Sequence, residues 1–194
     1  MRSKFCMTSK LSIAFAAMVF VAAGCATLPD TTSDAGQREF EVEGRAAIRY
    51  GTEAGSMRIA WRHGAESDDL LITGPLGQGI ARITRRGQYV TLTTADAREH
   101  RASDAESLTE TVLGWRLPLA GLPDWIRGRA VADRPSQVKR DDSGRVVVLE
   151  QDDWRIEYLA WNGLLPSRLT LAREAAGGAI ELRLIIDEWK NQAR

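Results

Sequence analysis

One thiol dominates the reactive chemistry of this chain. Cys25 closes an uncharged stretch, Leu11 to Gly24, that follows basic Arg2, Lys4 and Lys10. A basic start, a short apolar run and small residues (Val21-Ala22-Ala23-Gly24) before a cleavage point make a secretory signal. A cysteine directly after them is the acceptor for a thioether-linked diacylglycerol. Cleavage before Cys25 then frees an amine that can also be acylated. The apolar run, about 14 residues, is too short to span a bilayer, which needs ~20. The reading is therefore a lipoprotein signal over 1–24 with Cys25 as lipid anchor. The competing reading is an ordinary secretory signal that happens to hold a cysteine.

Elsewhere the chemistry is sparse. The two histidines, His63 and His100, have no cysteine or carboxylate at metal-ligand spacing. No nucleophile-elbow serine motif occurs. Gly74-Pro75-Leu76-Gly77-Gln78-Gly79 lacks the Lys-Ser/Thr of a phosphate loop and reads as a hairpin loop. Asp68-Asp69 and Asp141-Asp142 read as solvated turn residues rather than acid/base pairs. These observations favour a protein that is not an enzyme, with no cofactor and no metal.

The anchor sets the context for everything downstream. One acyl chain holds a protein marginally and two hold it stably, at ~0.8 kcal/mol per buried CH₂. Residues 25–38, with Pro29, Thr31, Thr32, Ser33, Asp34 and Gly36, have the composition of a flexible tether. Ala26, not the Asp that favours inner-membrane retention, follows the cysteine, so the outer membrane is expected. The rest, 39–194, suffices for one domain with a sizeable core. It has no cysteine, so that core must supply its stability. The chain carries 26 basic and 26 acidic residues, and loss of the signal leaves 23 against 26. A mildly acidic chain without a basic stripe argues against a nucleic-acid partner.

Period-two patterning predicts the elements. Phe40, Val42, Gly44, Ala46, Ile48 and Tyr50 alternate with Glu41, Glu43, Arg45 and Arg49. Met57-Ile59-Trp61, Val90-Leu92 and Ile180-Leu182-Leu184-Ile186 repeat that alternation. Less regular strands are expected at 69–73, 79–85, 98–102, 137–140, 145–150, 154–161 and 167–173, for about eleven in all. Arg86-Gly87, Ser143-Gly144 and Gly177-Gly178 supply hairpin turns. Between 102 and 137 the pattern turns helical. Ser103-Asp104-Ala105-Glu106 resembles a capping box opening a helix to about residue 115. Leu117-Pro118-Leu119 stops it, and a second helix is expected over 119–127, ending at Gly128. Such an excursion cannot pair with a sheet. It must lie across it as a lid presenting Leu113, Trp115, Leu119, Leu122 and Trp125.

Two features could carry function. The inward apolar face is either a filled core or a ligand cavity. Leu76 is the only large apolar residue of a tight loop, so it is either a stray exposed leucine or a membrane contact.

The ordered set of these residues resembles the LolB family of outer-membrane lipoprotein-sorting receptors. It comprises Gly44-Arg45-Ala46, Pro75-Leu76-Gly77, Gly114, Leu117-Pro118-Leu119, Leu122, Trp125-Ile126, Gly128, Trp154 with Tyr158, and Ile180-x-Leu182-x-Leu184-x-Ile186-Asp187-x-Trp189. The resemblance implies an unclosed antiparallel β-barrel of about eleven strands with a helical lid over an apolar cavity. It implies a monomer that accepts lipoprotein cargo from a LolA-type periplasmic carrier and inserts it into the inner leaflet of the outer membrane. It makes Ile59, Trp61, Trp115, Leu119, Leu122, Trp125, Leu182 and Leu184 the acyl-binding cavity. It makes Pro75, Leu76 and Gly77 the membrane-insertion loop, needed for delivery rather than acceptance. With no nucleotide motif in the chain, transfer must run downhill from donor to acceptor. The competing expectation is a structural or envelope-assembly lipoprotein with a closed β core and no such cavity.

Overall fold

A computed structural model describes residues 38–114, 116–174 and 178–190. The signal segment, Cys25, the tether before Arg38, Trp115 and the Leu113 side chain lie outside the described residues. Contacts gather the rest into one unit, Ser33–Arg194. It contains every strand, helix and core residue named below, so it has what it needs to fold on its own.

Alternation became strand wherever it was expected. The strands are β1 (Arg38–Tyr50), β2 (Glu53–Gly64), β3 (Ser67–Thr73), β4 (Gly79–Arg86), β5 (Tyr89–Thr94), β6 (Glu99–Ala102), β7 (Ser136–Arg140), β8 (Val146–Gln151), β9 (Trp154–Asn162), β10 (Leu165–Arg173) and β11 (Ile180–Lys190). They form one antiparallel sheet in the order β6-β5-β4-β3-β2-β1-β11-β10-β9-β8-β7. Two meanders are thus joined where the first strand pairs with the last. One face of both halves is buried in a single core that includes Phe40, Trp61, Ile83, Leu92, Leu149, Ile156, Leu169, Leu171 and Leu182. A sheet whose one face serves one core must curl around it. Among the described residues β6 and β7 pair on one side only, so the barrel does not close.

The joint explains Gly44-Arg45. Glu43 stands opposite Glu188 but Gly44 opposite Ile186, so Asp187 is an extra residue in β11. Such a bulge bends the strand and raises its twist. The strands approach so closely there that a Cβ on Gly44 would lie 2.3 Å from the Ile185 carbonyl oxygen. Only glycine fits. Asp187 turns outward, where Arg45 grips it with Nε at 3.0 Å and a terminal nitrogen at 2.7 Å. An exposed pair of this kind adds little stability; its effect is to hold the bulge.

The helices occupy the interval between the two free edges. α1 spans Ala105–Leu113 and α2 spans Leu122–Trp125. The cap of α1 is Asp104, not the expected Ser103: its carboxylate accepts from Glu106 N at 3.1 Å and Ser107 N at 3.0 Å. A carboxylate is a good N-cap and also complements the helix dipole. Gly114, at φ 82°, ends the helix in the left-handed conformation. The second helix is shorter than 119–127. Pro118, Gly121 and Pro123 lie within six residues, and turns flank one turn of α-helix up to Gly128 at φ 76°.

Candidate functional site

The lid is held unevenly. Trp125 in α2 is buried, and its Nε1 donates to Gln151 Oε1 on β8 at 2.9 Å. The same Gln151 oxygen accepts from Val131 N at 2.8 Å, and its Nε2 donates to Val131 O at 3.0 Å. Tyr158 on β9 donates from its hydroxyl to Trp125 O at 2.8 Å. Burial pushes that phenol well above its ordinary value, so it stays protonated and donating at any physiological pH. Arg127 reaches across to Glu39 at 3.0 Å and lies over the Phe40 ring. α2 is therefore tied to β8 and β9, and the turn after it to β1. The side-chain hydrogen bonds of α1, among the described residues, stay within the lid: Thr109 Oγ1 accepts from Leu117 N, and Arg116 binds Glu110 and Ser107. The grip of α1 on the sheet is apolar, through buried Leu108.

Beside α2 lies a charged cluster that patterning misread. Asp68 and Asp69 are not turn residues, because β3 starts at Ser67. Alternation then turns Asp68 inward and Asp69 outward to Arg82. Buried Asp68 accepts from Trp61 Nε1 at 2.9 Å and His63 Nδ1 at 2.6 Å through one oxygen, and from Arg85 Nε through the other. Burial pushes its carboxyl up, but the hydrogen bond and charge of His63, then those of Arg85, outweigh it and hold the group below its ordinary value. His63 stacks on Phe40 at 4.8 Å, and Trp61 meets Phe40 edge-on at 5.2 Å.

Asp68→Asn should cost about 3 kcal/mol, because it removes the buried carboxylate that His63 and Arg85 share. A depressed carboxyl contributes stability above the unfolded value, near 3.9, that is lost as pH falls through the folded value. The gap between parent and variant in urea unfolding should therefore be full at pH 7 and shrink below pH ~4. A gap that stayed constant with pH would mean the carboxylate charge is not what holds the cluster.

Free space opens next to this cluster. A half-enclosed pocket of about 350 Å³ runs between the lid and β3–β5. Leu70, Ile83, Val90, Ala105, Leu119 and Pro123 give it an apolar wall; Asp68, Arg85, Gln88 and Glu106 rim it. Burial, then the neighbouring Asp104, pushes the Glu106 carboxyl up. The rim faces water while the wall continues into the core.

The structure distributes the sequence-derived cavity residues unevenly around this space. Leu119 lines the pocket and is half-buried. Trp61, Leu122, Trp125, Leu182 and Leu184 are 1–4% exposed, which leaves almost no surface facing a void. Ile59 is half-buried on β2, opposite Gly44 and Ile72. Among the described residues the inner face is thus packed at its centre and open toward β3–β5. Sequence reasoning missed Asp68, Arg85 and Gln151.

The Pro75-Leu76-Gly77 loop joins β3 to β4. Gly74 N donates to Gln78 O at 2.7 Å and Gly77 N to Gly74 O at 2.9 Å, so the loop closes on itself. Gly77, at φ 85°, supplies the left-handed step. Leu76 is 94% exposed. Leu164, in the β9–β10 turn, is a second bare leucine at 92%.

An unclosed β-barrel with a helical lid, an apolar pocket under the lid and a bare leucine on a tight loop defines a lid-covered open-barrel class. Within that class, this chain belongs to the outer membrane lipoprotein LolB family, whose model matches residues 38–189. It is 35% identical over 185 residues to the outer-membrane lipoprotein LolB of Thiobacillus denitrificans, covering 91% of this chain and 95% of that one. The corresponding protein of Dechloromonas aromatica is 35% identical over 182 residues, covering 89% and 93%. That of Pseudomonas syringae is 36% identical over 155 residues, covering 78% and 74%. A solved LolA superfamily protein of Nitrosomonas europaea superposes with a TM-score of 0.48 at 13% identity, over 81% of this chain and 88% of that chain; so distant a likeness carries no argument. Family membership makes the protein an outer-membrane lipoprotein.

Proposed function

We propose that this protein is the receptor that takes lipoproteins from a LolA-type periplasmic carrier, shelters their acyl chains under the lid and passes them to the inner leaflet of the outer membrane. The observation that carries the reading is the half-enclosed apolar pocket between the lid and β3–β5. It is the natural entry for an acyl chain, because its wall is continuous with the core face. Deeper accommodation requires the lid to yield. α1 is the part that lifts, since it has apolar contacts but no described side-chain hydrogen bond to the sheet, whereas α2 and the turn after it are tied at several points. Lifting it would give chains access to Trp61, Leu122, Trp125, Leu182 and Leu184. The protein acts as a monomer, anchored through Cys25, and without catalysis.

Transfer needs no energy source if each holder in the series binds the chains better than the one before. A receptor whose site is mostly packed when empty suits that scheme. Part of the favourable acyl contact is offset by lost side-chain contacts, so binding stays weak enough to release.

The test is equilibrium binding of a triacylated lipopeptide to residues 33–194. Leu119→Asp puts a charge on the pocket wall at a half-exposed position, which the fold tolerates. It should weaken binding about tenfold or more, since an unpaired charge against an acyl chain costs several kcal/mol. Unchanged binding would remove the pocket from the route. The packed centre favours a second reading, a structural lipoprotein whose lid never opens. That reading requires the parent protein to bind no acylated probe at all.

A further inference from the structure

The outward face of the sheet next to the Leu76 loop carries a feature that acyl binding does not use. Its floor is made of small side chains, Ala47 on β1 with Ala54 and Ser56 on β2. Around that floor stand Arg45, Arg49, Arg58 and Arg183. Two shallow depressions of about 370 and 320 Å³ adjoin there, and Pro75 of the loop forms part of the first wall. Arg45 lies directly opposite Arg58 across the β1–β2 pair. Like charges placed so are destabilising in a sheet unless something separates or neutralises them.

Neutralisation is incomplete. Asp187 takes Arg45, and Glu181 takes Arg183. Among the described residues, Arg49, Arg58 and the neighbouring Arg168 have no carboxylate within ion-pair distance, and all three are exposed. A chain that is mildly acidic once the signal is lost therefore presents a local basic bowl here, and that bowl adjoins its most exposed described leucine.

We propose that this bowl binds the phosphate groups of phospholipid headgroups in an anionic bilayer while Leu76 enters the acyl layer beneath them. The chemistry of the two parts matches the layering of a membrane surface. Guanidinium groups are suited to phosphate, and a small-residue floor lets the headgroup approach the sheet. A lone leucine fixes neither direction nor tilt; a basic bowl beside it fixes both. The orientation rests on the membrane-contact reading of Leu76, but the lipid preference does not.

The experiment is binding of residues 33–194 to vesicles of phosphatidylcholine alone or with roughly one quarter phosphatidylglycerol. The parent should prefer the anionic vesicles, and high salt should erase the preference. Arg49→Gln with Arg58→Gln should weaken binding to anionic vesicles about fivefold for each arginine removed and leave binding to neutral ones unchanged. Lys139→Gln with Arg140→Gln, on the free edge strand β7, removes the same charge elsewhere and should leave the preference intact. Leu76→Asp should weaken binding to both kinds of vesicle. If Leu76→Asp has no effect while the bowl variant loses the preference, the Leu76 reading fails and the bowl stands. A parent without preference, a bowl variant that keeps it, or an equal loss in the β7 variant would overturn the proposal.

Discussion

Leu76→Asp should leave folding and acyl-chain uptake unchanged and lower delivery into outer-membrane vesicles by about tenfold to a hundredfold. The size follows from what the leucine can do. It is 94% exposed, so its removal costs the folded protein nothing. Buried in a bilayer it would contribute about 1.5–3 kcal/mol, which is that range of rate or affinity. The substitution also keeps the loop. Its shape comes from the Gly74–Gln78 and Gly74–Gly77 hydrogen bonds and the positive φ of Gly77, none of which involves the side chain. Uptake is spared because the pocket under the lid does not include Leu76. Transfer from a loaded carrier and incorporation into vesicles must be measured separately. A fall in both, or in neither, would make Leu76 an ordinary loop residue.

The same loop shows what a sequence discloses well. Pro75 and Gly77 around one leucine dictate a tight turn with nothing to bury against, and the structure leaves that residue bare. The strands were equally open to reading, because period-two burial is a local property of each segment. What escaped depended on a one-residue phase or on non-local packing. Starting β3 at Ser67 instead of Asp69 makes no difference to hydrophobic pattern, yet it sends Asp68 inward to Trp61, His63 and Arg85. Gln151 looks like any polar residue at a strand end until α2 is laid over β8. The basic bowl was hidden because Ala47, Ala54 and Ser56 seem unremarkable one at a time. They matter only when the register sets them side by side. The location of free space was the least legible of all. It is a small difference between large packed volumes, and patterning assigns a residue to a face without saying whether that face is full.

Leu182→Asp puts that last point to a direct test, and its expected result is loss of the folded domain rather than a selective block on uptake. Leu182 sits near the start of β11, 2% exposed, opposite Ile48 on β1 and Leu171 on β10. Ile180 and Leu184 flank it on the same face, each 4% exposed. A carboxylate there has no described partner, and burying it unpaired costs several kcal/mol. The lost leucine burial adds about 1.5–3 kcal/mol. Together these approach the whole stability of an ordinary domain, about 5–15 kcal/mol. Circular dichroism and urea unfolding of residues 33–194 should show a largely unfolded chain. Leu182→Ala should stay folded and lose about 2–5 kcal/mol, the cost of a cavity in a packed core. The contrast with Leu119→Asp is the informative part: that variant should fold and bind about tenfold or more weakly, since its side chain faces the pocket rather than the packed centre. A Leu182→Asp protein that unfolds at nearly the parent's urea midpoint and loses only acyl binding would mean that the β11 face borders open space. The lid would then already stand clear of the centre, and the entry would not be confined to the β3–β5 side.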